Sequence, residues 1–318
     1  MAHEVLLLSR KFRDNMDVAN EFLEARNCFV STKPISYPPD EDQLCELAST
    51  AEGIITGLEH ISPKVMAAAP NLKVVSAGGV GYDHIDLEEA NKRGITVAIC
   101  AGCNNHAVSE LAFGMMLNLA RQIRSADITV RGDDGWGRFS GGELWGKTLG
   151  VVGVGRVGKA TALLGRAFGM RILANDVDWD ITFANEHGFS YVPLDTLLRE
   201  SDYISLHCPL TAITRGLIDE DAIDKMKETA VLINTARGPI VKQEALVNAL
   251  ATKRIAGAGL DVFEIEPHLD NPYTEFDNVI LTPHIGGSTA EAFERAMYLA
   301  MVNVSNVLNG LPAHCAVN

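Results

Sequence analysis

A glycine turn halfway along the chain restricts the fold more than any other feature. Thr148-Leu149-Gly150-Val151-Val152 runs into Gly153-Val154-Gly155-Arg156-Val157-Gly158, and Lys159-Ala160-Thr161-Ala162-Leu163-Leu164 follows. This is G-x-G-x-x-G between an apolar, β-branched run and a helical pattern, the first βα turn of a doubly wound parallel sheet. The first glycine permits the tight turn, the second lets backbone approach a pyrophosphate, and the third lets helix and strand pack closely. The helix N-terminus attracts the anion. Taken alone the pattern is weak, because a glycine-rich turn without a ligand shares it. Its context is stronger: a second apolar run, Arg171–Ala174, leads to Asp176, 18 residues after Gly158. A carboxylate there accepts hydrogen bonds from adenosine ribose hydroxyls. It would repel a 2′-phosphate, and Val177 and Asp178 offer no cation in compensation. The expected dinucleotide is NAD rather than NADP.

A turn that begins 150 residues into the chain leaves room for another domain before it. Short apolar runs at Val5–Leu8, Gly53–Thr56, Leu72–Ser76 and Ile95–Ile99 read as buried strands, with helical stretches Glu41–Ala48, Pro63–Ala69 and Leu87–Arg93 between them. A second series follows at Thr148–Val152, Arg171–Ala174, Tyr203–His207, Ala230–Asn234, Gly257–Leu260 and Asn278–Leu281. Strands alternating with helices predict parallel sheets with crossover helices, here two of them. From Asn104, the positions Val108, Leu111, Ala112, Met115, Met116 and Leu119 recur at helical spacing. Ser288-Thr289-Ala290-Glu291 has capping-box spacing with Ser288 as N-cap. Phe293, Ala296, Met297, Ala300 and Val304 supply that last helix with an apolar stripe, and Gly310 is its expected stop. The expected division is 1–101 plus 288–318 as a substrate domain, with 102–287 inserted as the nucleotide domain.

Composition narrows the function classes. Of 318 residues, 27 are Lys or Arg and 41 Asp or Glu, for a net charge of −14 with no basic patch, which argues against nucleic acid and anionic membrane as partners. With 47% hydrophobic residues the chain can build sizeable cores, and no apolar run reaches the roughly 18 residues of a membrane span. The apolar stretch Val5–Leu8 is too short for a signal peptide. Six scattered cysteines in a chain of this length fit a reducing cytoplasm. Cys100-Ala101-Gly102-Cys103 is a C-x-x-C, but it has no second pair and no histidine at ligand spacing. No metal is expected, and both cysteines read as reduced thiols.

Three segments that follow strands of the second series carry reactive side chains: Asn234-Thr235-Ala236-Arg237-Gly238, Asp261-Val262-Phe263-Glu264-Ile265-Glu266-Pro267 and Thr282-Pro283-His284-Ile285-Gly286-Gly287. Ligands of open α/β sheets bind outside the carboxyl ends of the strands, so residues of all three can converge on a bound cofactor. Oxidation of a 2-hydroxy acid needs a bidentate cation for the carboxylate, a base of near-neutral pKa for the hydroxyl proton, and a hydride acceptor. Arginine's planar fork suits the first task, and histidine beside a carboxylate the second. Arg237, His284 and Glu266 are one set that meets these needs. Read singly, each is equally an ordinary loop side chain.

Nearly the whole chain resembles the D-isomer-specific 2-hydroxyacid dehydrogenases, which include phosphoglycerate dehydrogenases, glyoxylate/hydroxypyruvate reductases and D-lactate dehydrogenases. The resemblance runs from Gly81-Tyr82-Asp83-His84-Ile85-Asp86 through the glycine turn and His207-Cys208-Pro209-Leu210-Thr211. It continues through Asn234–Gly238 and Leu260-Asp261-Val262 to Pro283-His284-Ile285-Gly286-Gly287-Ser288-Thr289. It implies two Rossmann-like α/β domains, the NAD-binding domain inserted into a flavodoxin-like substrate domain, hinged near 100–104 and 285–290. It further implies that Arg237 binds the substrate's carboxylate and carbonyl, that His284 is the acid/base, and that Glu266 pairs with His284. Val80 and Gly81 would offer backbone N–H groups to the substrate carboxylate, and Asn104 matches the family asparagine before the long helix. Gly153, Gly155, Arg156, Val157, Gly158, Asp176, His207, Cys208, Pro209, Thr214, Ala236, Asp261, His284 and Gly286 would line the cofactor, Asp261 holding the nicotinamide carboxamide. A homodimer through the inserted domain is implied as well.

Phosphoglycerate-specific relatives place arginines near the substrate loop. The matching stretches here, Gly53–Leu58 and Ser76–Gly81, contain neither Lys nor Arg. The expected substrate is therefore an unphosphorylated small 2-oxo acid, with D-3-phosphoglycerate as the alternative. An alternative of another class, an NAD(H)-sensing interaction protein like the family's corepressors, keeps the same residues and is separated by turnover.

Overall fold

The computed structural model describes residues 2–132, 135–267 and 270–318. The chain divides into two compact units, Met1–Asn104 with Thr289–Asn318, and Asn105–Ser288. The first unit contains β1 (His3–Leu7), α1 (Arg10–Arg13), α2 (Met16–Glu24), β2 (Cys28–Val30), α3 (Glu41–Ala48), β3 (Gly53–Thr56), α4 (Pro63–Ala68), β4 (Val74–Ala77), α5 (Leu87–Arg93) and β5 (Thr96–Ala98). The second opens with α6 (Asn105–Arg121) and α7 (Ile123–Arg131). It continues with β6 (Thr148–Val152), α8 (Arg156–Ala167), β7 (Arg171–Asn175), α9 (Ile181–His187), β8 (Ser190–Tyr191), α10 (Leu194–Glu200) and β9 (Tyr203–Leu206). It ends with α11 (Glu220–Ile223), β10 (Val231–Asn234), α12 (Gln243–Ala251), β11 (Gly257–Leu260) and β12 (Val279–Leu281), and α13 (Ala290–Leu308) belongs to the first unit again.

Local chemistry explains several boundaries. Asp40, Ser62 and Asp86 each accept a main-chain N–H three residues on, capping α3, α4 and α5. Pro63 takes the first turn of α4, and Gly94 ends α5 in the left-handed region at φ 68°. The last helix starts one residue later than the capping-box expectation. Thr289, not Ser288, is its N-cap and accepts the Ala292 N–H at 3.1 Å. That puts Glu291 at the second helical position, out of reach of the reciprocal bond a capping box needs. Gly310 adopts φ 77° just beyond the helix.

All strand pairs are parallel. The first sheet has the order β2-β1-β3-β4-β5, which reverses direction between β1 and β3, and the second β12-β11-β10-β9-β6-β7-β8, reversing between β6 and β9. These are the flavodoxin-like and dinucleotide-fold orders, with ligand crevices at the two reversals. β2 and β8 are short edge strands that the apolar runs did not announce.

Each sheet is covered on both faces. In the first unit, Leu6, Ile54 and Val75 face α3, α4 and α5, while Val5, Leu7, Ile55 and Val74 pack under α2 and the Ala296–Met301–Val304 stripe of α13. Asn303 of α13, fully buried, donates to Ile99 O at 3.1 Å and Ser76 Oγ at 3.3 Å, and Arg295 Nε donates to Cys103 O at 2.7 Å. In the second unit, Leu173, Ile204 and Leu232 face α10, α11 and α12, and Val151, Ile172 and Ile233 face α6, α8 and α9. Helix α7 differs from the rest. None of its residues is buried, and Ile123, Ile128 and Val130 are each more than half exposed. No helix among the described residues is long and apolar enough to cross a membrane.

Candidate active site

In the second unit the glycine turn closes the carboxyl end of β6. Gly153 has φ 88°, and a Cβ there would strike the backbone of Cys208, so only glycine fits. A Cβ on Gly158 would run into the Gly153 carbonyl. Gly155, the N-cap of α8, has open space where its Cβ would stand, so a ligand can approach the backbone closely. Arg156 and Val157 form the first turn of α8. Asp176, just past β7, accepts the Val154 N–H at 2.5 Å through Oδ2 and the Val177 N–H at 2.7 Å through Oδ1. The carboxylate thus stiffens the turn from the end of β7. An open glycine, a helix N-terminus and a carboxylate at the end of β7 fit a dinucleotide.

Across the reversal, His207 follows β9. Its N–H donates to Val152 O at 2.7 Å, and its Nε2 lies 2.9 Å from Ser205 Oγ. Burial pushes the imidazole down to about 3, so it is neutral, while the adjacent Cys208 thiol is pushed up to about 11 by the same desolvation. After Pro209, Thr214 Oγ1 donates to Pro209 O at 2.6 Å and accepts the Thr211 N–H at 2.8 Å, fixing the loop.

The reactive side chains stand past β10, β11 and β12. Asn234, 1% exposed, ties the first turn: Oδ1 accepts the Ala236 N–H at 3.1 Å, and Nδ2 donates to Arg237 O at 3.0 Å. Arg237 Nη1 donates to Ala236 O at 2.7 Å. A Cβ on Gly238 would strike the Phe263 carbonyl, so the turn carrying Arg237 lies directly on the loop that carries Glu266. His284 is a non-glycine residue at φ 53°, a conformation of the kind that clusters at functional sites. Asp261 holds it there. Its main-chain carbonyl accepts the His284 N–H at 2.8 Å. Its carboxylate, 1% exposed, takes the Thr282 hydroxyl at 2.5 Å and the N–H groups of Ile285 and Gly286 at 2.8 Å each.

His284 Nδ1 lies 2.6 Å from Glu266 Oε2. That hydrogen bond raises the imidazole's pKa. Partial burial and the charge of Arg237 act against the rise, and the carboxylates of Glu266 and Asp261 reinforce it. Glu266 is held below the usual carboxylate range: burial works to raise it, and the bonds from His284 and from Phe263 N–H, the latter at 2.9 Å, prevail. Among the described residues His284 Nε2 has no hydrogen-bond partner. The structure therefore brings Arg237, Glu266 and His284 into one electrostatic set. The sequence reading missed two supports of that set, Thr282 and the three-donor grip of Asp261, because neither has a spacing signal of its own.

The three remaining candidates belong to the first unit. Val80 and Gly81 lie in the loop after β4, and Cys100 N–H donates to Gly79 O at 2.8 Å beside them. Asn104 is the unit's last residue before α6, and its buried Oδ1 has no partner among the described residues.

Comparison with known proteins adds an independent line. Residues 113–286 match the family model described as D-isomer specific 2-hydroxyacid dehydrogenase, NAD binding domain. The chain is 45% identical over 291 residues to a glyoxylate reductase of Thermofilum pendens, covering 89% of this chain and 86% of that protein. It is 41% identical over 261 residues to a D-3-phosphoglycerate dehydrogenase of Mycobacterium tuberculosis, covering 81% of this chain but only 49% of the relative. Among solved structures, the D-lactate dehydrogenase of Aquifex aeolicus in complex with NAD and lactic acid superposes with a TM-score of 0.84 at 32% identity, covering 97% of this chain and 96% of that one.

Proposed function

The chain belongs to the D-isomer-specific 2-hydroxyacid dehydrogenases, an NAD-dependent oxidoreductase of 2-oxo and 2-hydroxy acids, and from that premise we propose that it reduces a small unphosphorylated 2-oxo acid of the glyoxylate, hydroxypyruvate or pyruvate kind. NADH, when bound, would supply the hydride for C2 of the oxo acid. The chain's own residues do the rest. Arg237 presents its planar fork to the carboxylate and the C2 oxygen, neutralising the first and polarising the second. His284, charged through its bond to Glu266, delivers a proton from Nε2 to the C2 oxygen as the carbonyl becomes a hydroxyl. Glu266 remains ionised and stabilises the imidazolium before transfer. In oxidation the same proton returns to Nε2.

One observation carries this reading: Nδ1 of His284 is committed to Glu266 at 2.6 Å, which leaves Nε2 as the nitrogen for substrate. For the cofactor we propose Gly153, Gly155, Arg156, Val157 and Gly158 at the pyrophosphate and Asp176 at the adenosine ribose. His207, Cys208, Pro209, Thr214, Ala236, Asp261, His284 and Gly286 would complete its lining. Val80, Gly81 and Asn104 are proposed for the substrate. The missing cations of Gly53–Leu58 and the glyoxylate reductase relatives favour an unphosphorylated acid, while the phosphoglycerate dehydrogenase relatives keep the phosphorylated one as the competitor. We also propose a cytoplasmic homodimer. The uncovered apolar face of α7 supports self-association, and six unpaired cysteines suit a reducing compartment.

The test is NADH consumption against glyoxylate, hydroxypyruvate, pyruvate, phenylpyruvate and 3-phosphohydroxypyruvate, with NADPH in parallel. Turnover of an unphosphorylated acid with NADH is expected. Preference for the phosphorylated acid would overturn the substrate proposal, and NADH binding without turnover of any acid would favour a sensor.

A further inference from the structure

At the carboxyl end of β3 the chain binds an anion of its own. Glu59 folds back so that Oε2 accepts the Gly57 N–H at 2.6 Å and lies 3.0 Å from the Thr56 hydroxyl, which is equally 3.0 Å from the Glu59 main-chain carbonyl. A backbone N–H and a hydroxyl converging on one oxygen form a small oxyanion cradle. Leu58 stands exposed at the apex of the same turn.

The cradle's position gives it meaning. It lies at the β1/β3 reversal of the first sheet, where ligands of such sheets bind. On one side is β4, tied to it by Gly78 N–H donating to Thr56 O at 2.7 Å, and the loop after β4 is the one proposed for the substrate carboxylate. Neighbouring strands are about 4.8 Å apart, comparable to the span from a carboxylate on C1 to a substituent on C3 of a three-carbon acid. On the other side, two residues past the end of β1, is Ser9, whose side chain would lie 3.0 Å from a Cβ on Gly57. Arg10 and Arg13 of α1 follow. Arg13 is engaged by the carbonyls of Leu7 and Lys33, whereas Arg10 makes no ion pair among the described residues. The charges of Arg13, Glu59, Asp14 and Arg10 all reach the hydroxyl of Tyr37, which donates to Leu8 O at 2.8 Å over the same strand end.

We propose that Glu59 sets substrate specificity by filling this cradle: its carboxylate excludes 2-oxo acids bearing a second anionic group on C3, a phosphate or a carboxylate, and admits those whose C3 is absent or uncharged. The inference rests on the reading of the chain as a 2-oxo acid reductase and names the residue that bounds its substrate class. The mechanism is occupancy together with like-charge repulsion, a repulsive element built against the wrong ligand. Without the carboxylate, Gly57 N–H and the Thr56 hydroxyl would face an open cradle.

The test compares hydroxypyruvate with 3-phosphohydroxypyruvate, which differ only in the phosphate, in the parent and in Glu59→Ala and Glu59→Gln. The ratio of kcat/KM, phosphorylated over unphosphorylated, should rise about tenfold or more in Glu59→Ala. Glu59→Gln keeps an acceptor for Gly57 and loses the charge, so its ratio should rise by less. A second readout needs no turnover: inorganic phosphate, at matched ionic strength, should raise the melting temperature of Glu59→Ala more than that of the parent. A ratio unchanged in both variants, or equal loss with both acids, would overturn the proposal and leave Glu59 a mere brace of its loop. If the parent reduced neither of these acids nor glyoxylate or pyruvate, the reductase reading would fall, and the phosphate-dependent melting would still decide whether Glu59 fills an anion site.

Discussion

Glu266 meets His284 with one carboxylate oxygen and holds the Phe263 N–H with the other, so the carboxylate cannot swing away from the imidazole without breaking a backbone bond. This doubly held acid raises the pKa of His284. In reduction His284 must enter protonated, and a raised pKa keeps it so to higher pH. Glu266→Gln removes the charge that supports the imidazolium. The alkaline limb of kcat/KM for oxo-acid reduction is therefore expected to move to lower pH. For hydroxy-acid oxidation, which needs the neutral ring, the acidic limb moves to lower pH as well. Parallel pH–rate profiles in the two directions check the sign; limbs that stay in place would remove Glu266 from the acid/base step.

His284→Ala should lower kcat by roughly 10²–10⁴, the usual contribution of a positioned acid/base. Binding of NADH, followed by its fluorescence, should persist. Undiminished turnover would assign the proton to another group.

Arg237→Lys keeps the charge and loses the fork. One charge-assisted hydrogen bond is worth about 1.5–3 kcal/mol, so kcat/KM for the oxo acid should fall by roughly 10- to 100-fold, with most of the loss in KM. A variant as good as the parent would mean that Arg237 does not grip the substrate in two places.

Asp176→Ala should narrow the preference for NADH over NADPH. It should also weaken NADH itself, because the same carboxylate restrains the Val154 N–H of the glycine turn. Dissociation constants for both cofactors separate these effects, and an unchanged ratio would take Asp176 out of cofactor choice.

Ile128→Asp puts a charge on the exposed apolar face of α7, where Ile128 is 56% exposed. If that face joins two copies, sedimentation should give a dimer for the parent and a monomer for the variant, with the far-ultraviolet spectrum retained. A dimeric variant would move the interface elsewhere.

The parallel sheets and the glycine turn were legible because buried strands and βα turns leave periodic, local signals. Gly153–Gly158, the α3 and α5 boundaries and the Gly310 stop are of that kind. Strands β2 and β8, of three and two residues, carry too little pattern to be told from loop. The cap at Thr289 shows a limit of spacing rules, since Ser288 and Thr289 are both competent and backbone φ/ψ decides between them. Arg237, Glu266 and His284 could be named as a set, but the contact between residues 266 and 284 depends on how two loops fold over β11 and β12. The grip of Asp261 on Thr282, Ile285 and Gly286 was invisible for the same reason: two of its three donors are main-chain groups, which every residue has. Glu59 carries no signature in the sequence, since nothing in a loop glutamate's surroundings announces that its carboxylate turns inward.

Helix α13 supplies one side of the first unit's core although it is separated in sequence, by the whole of the second unit, from the strands it covers. During synthesis β1, β3 and β4 leave the ribosome with Val5, Leu7, Ile55 and Val74 covered by α2 alone, and Asn303 is not yet there to take up the carbonyl of Ile99. The second unit, continuous from Asn105 to Ser288, can close its own core first. The order of emergence is thus the reverse of the order of completion: the half that is translated first finishes last. Until then the part of that sheet face that α2 leaves open is the natural place for a chaperone to hold.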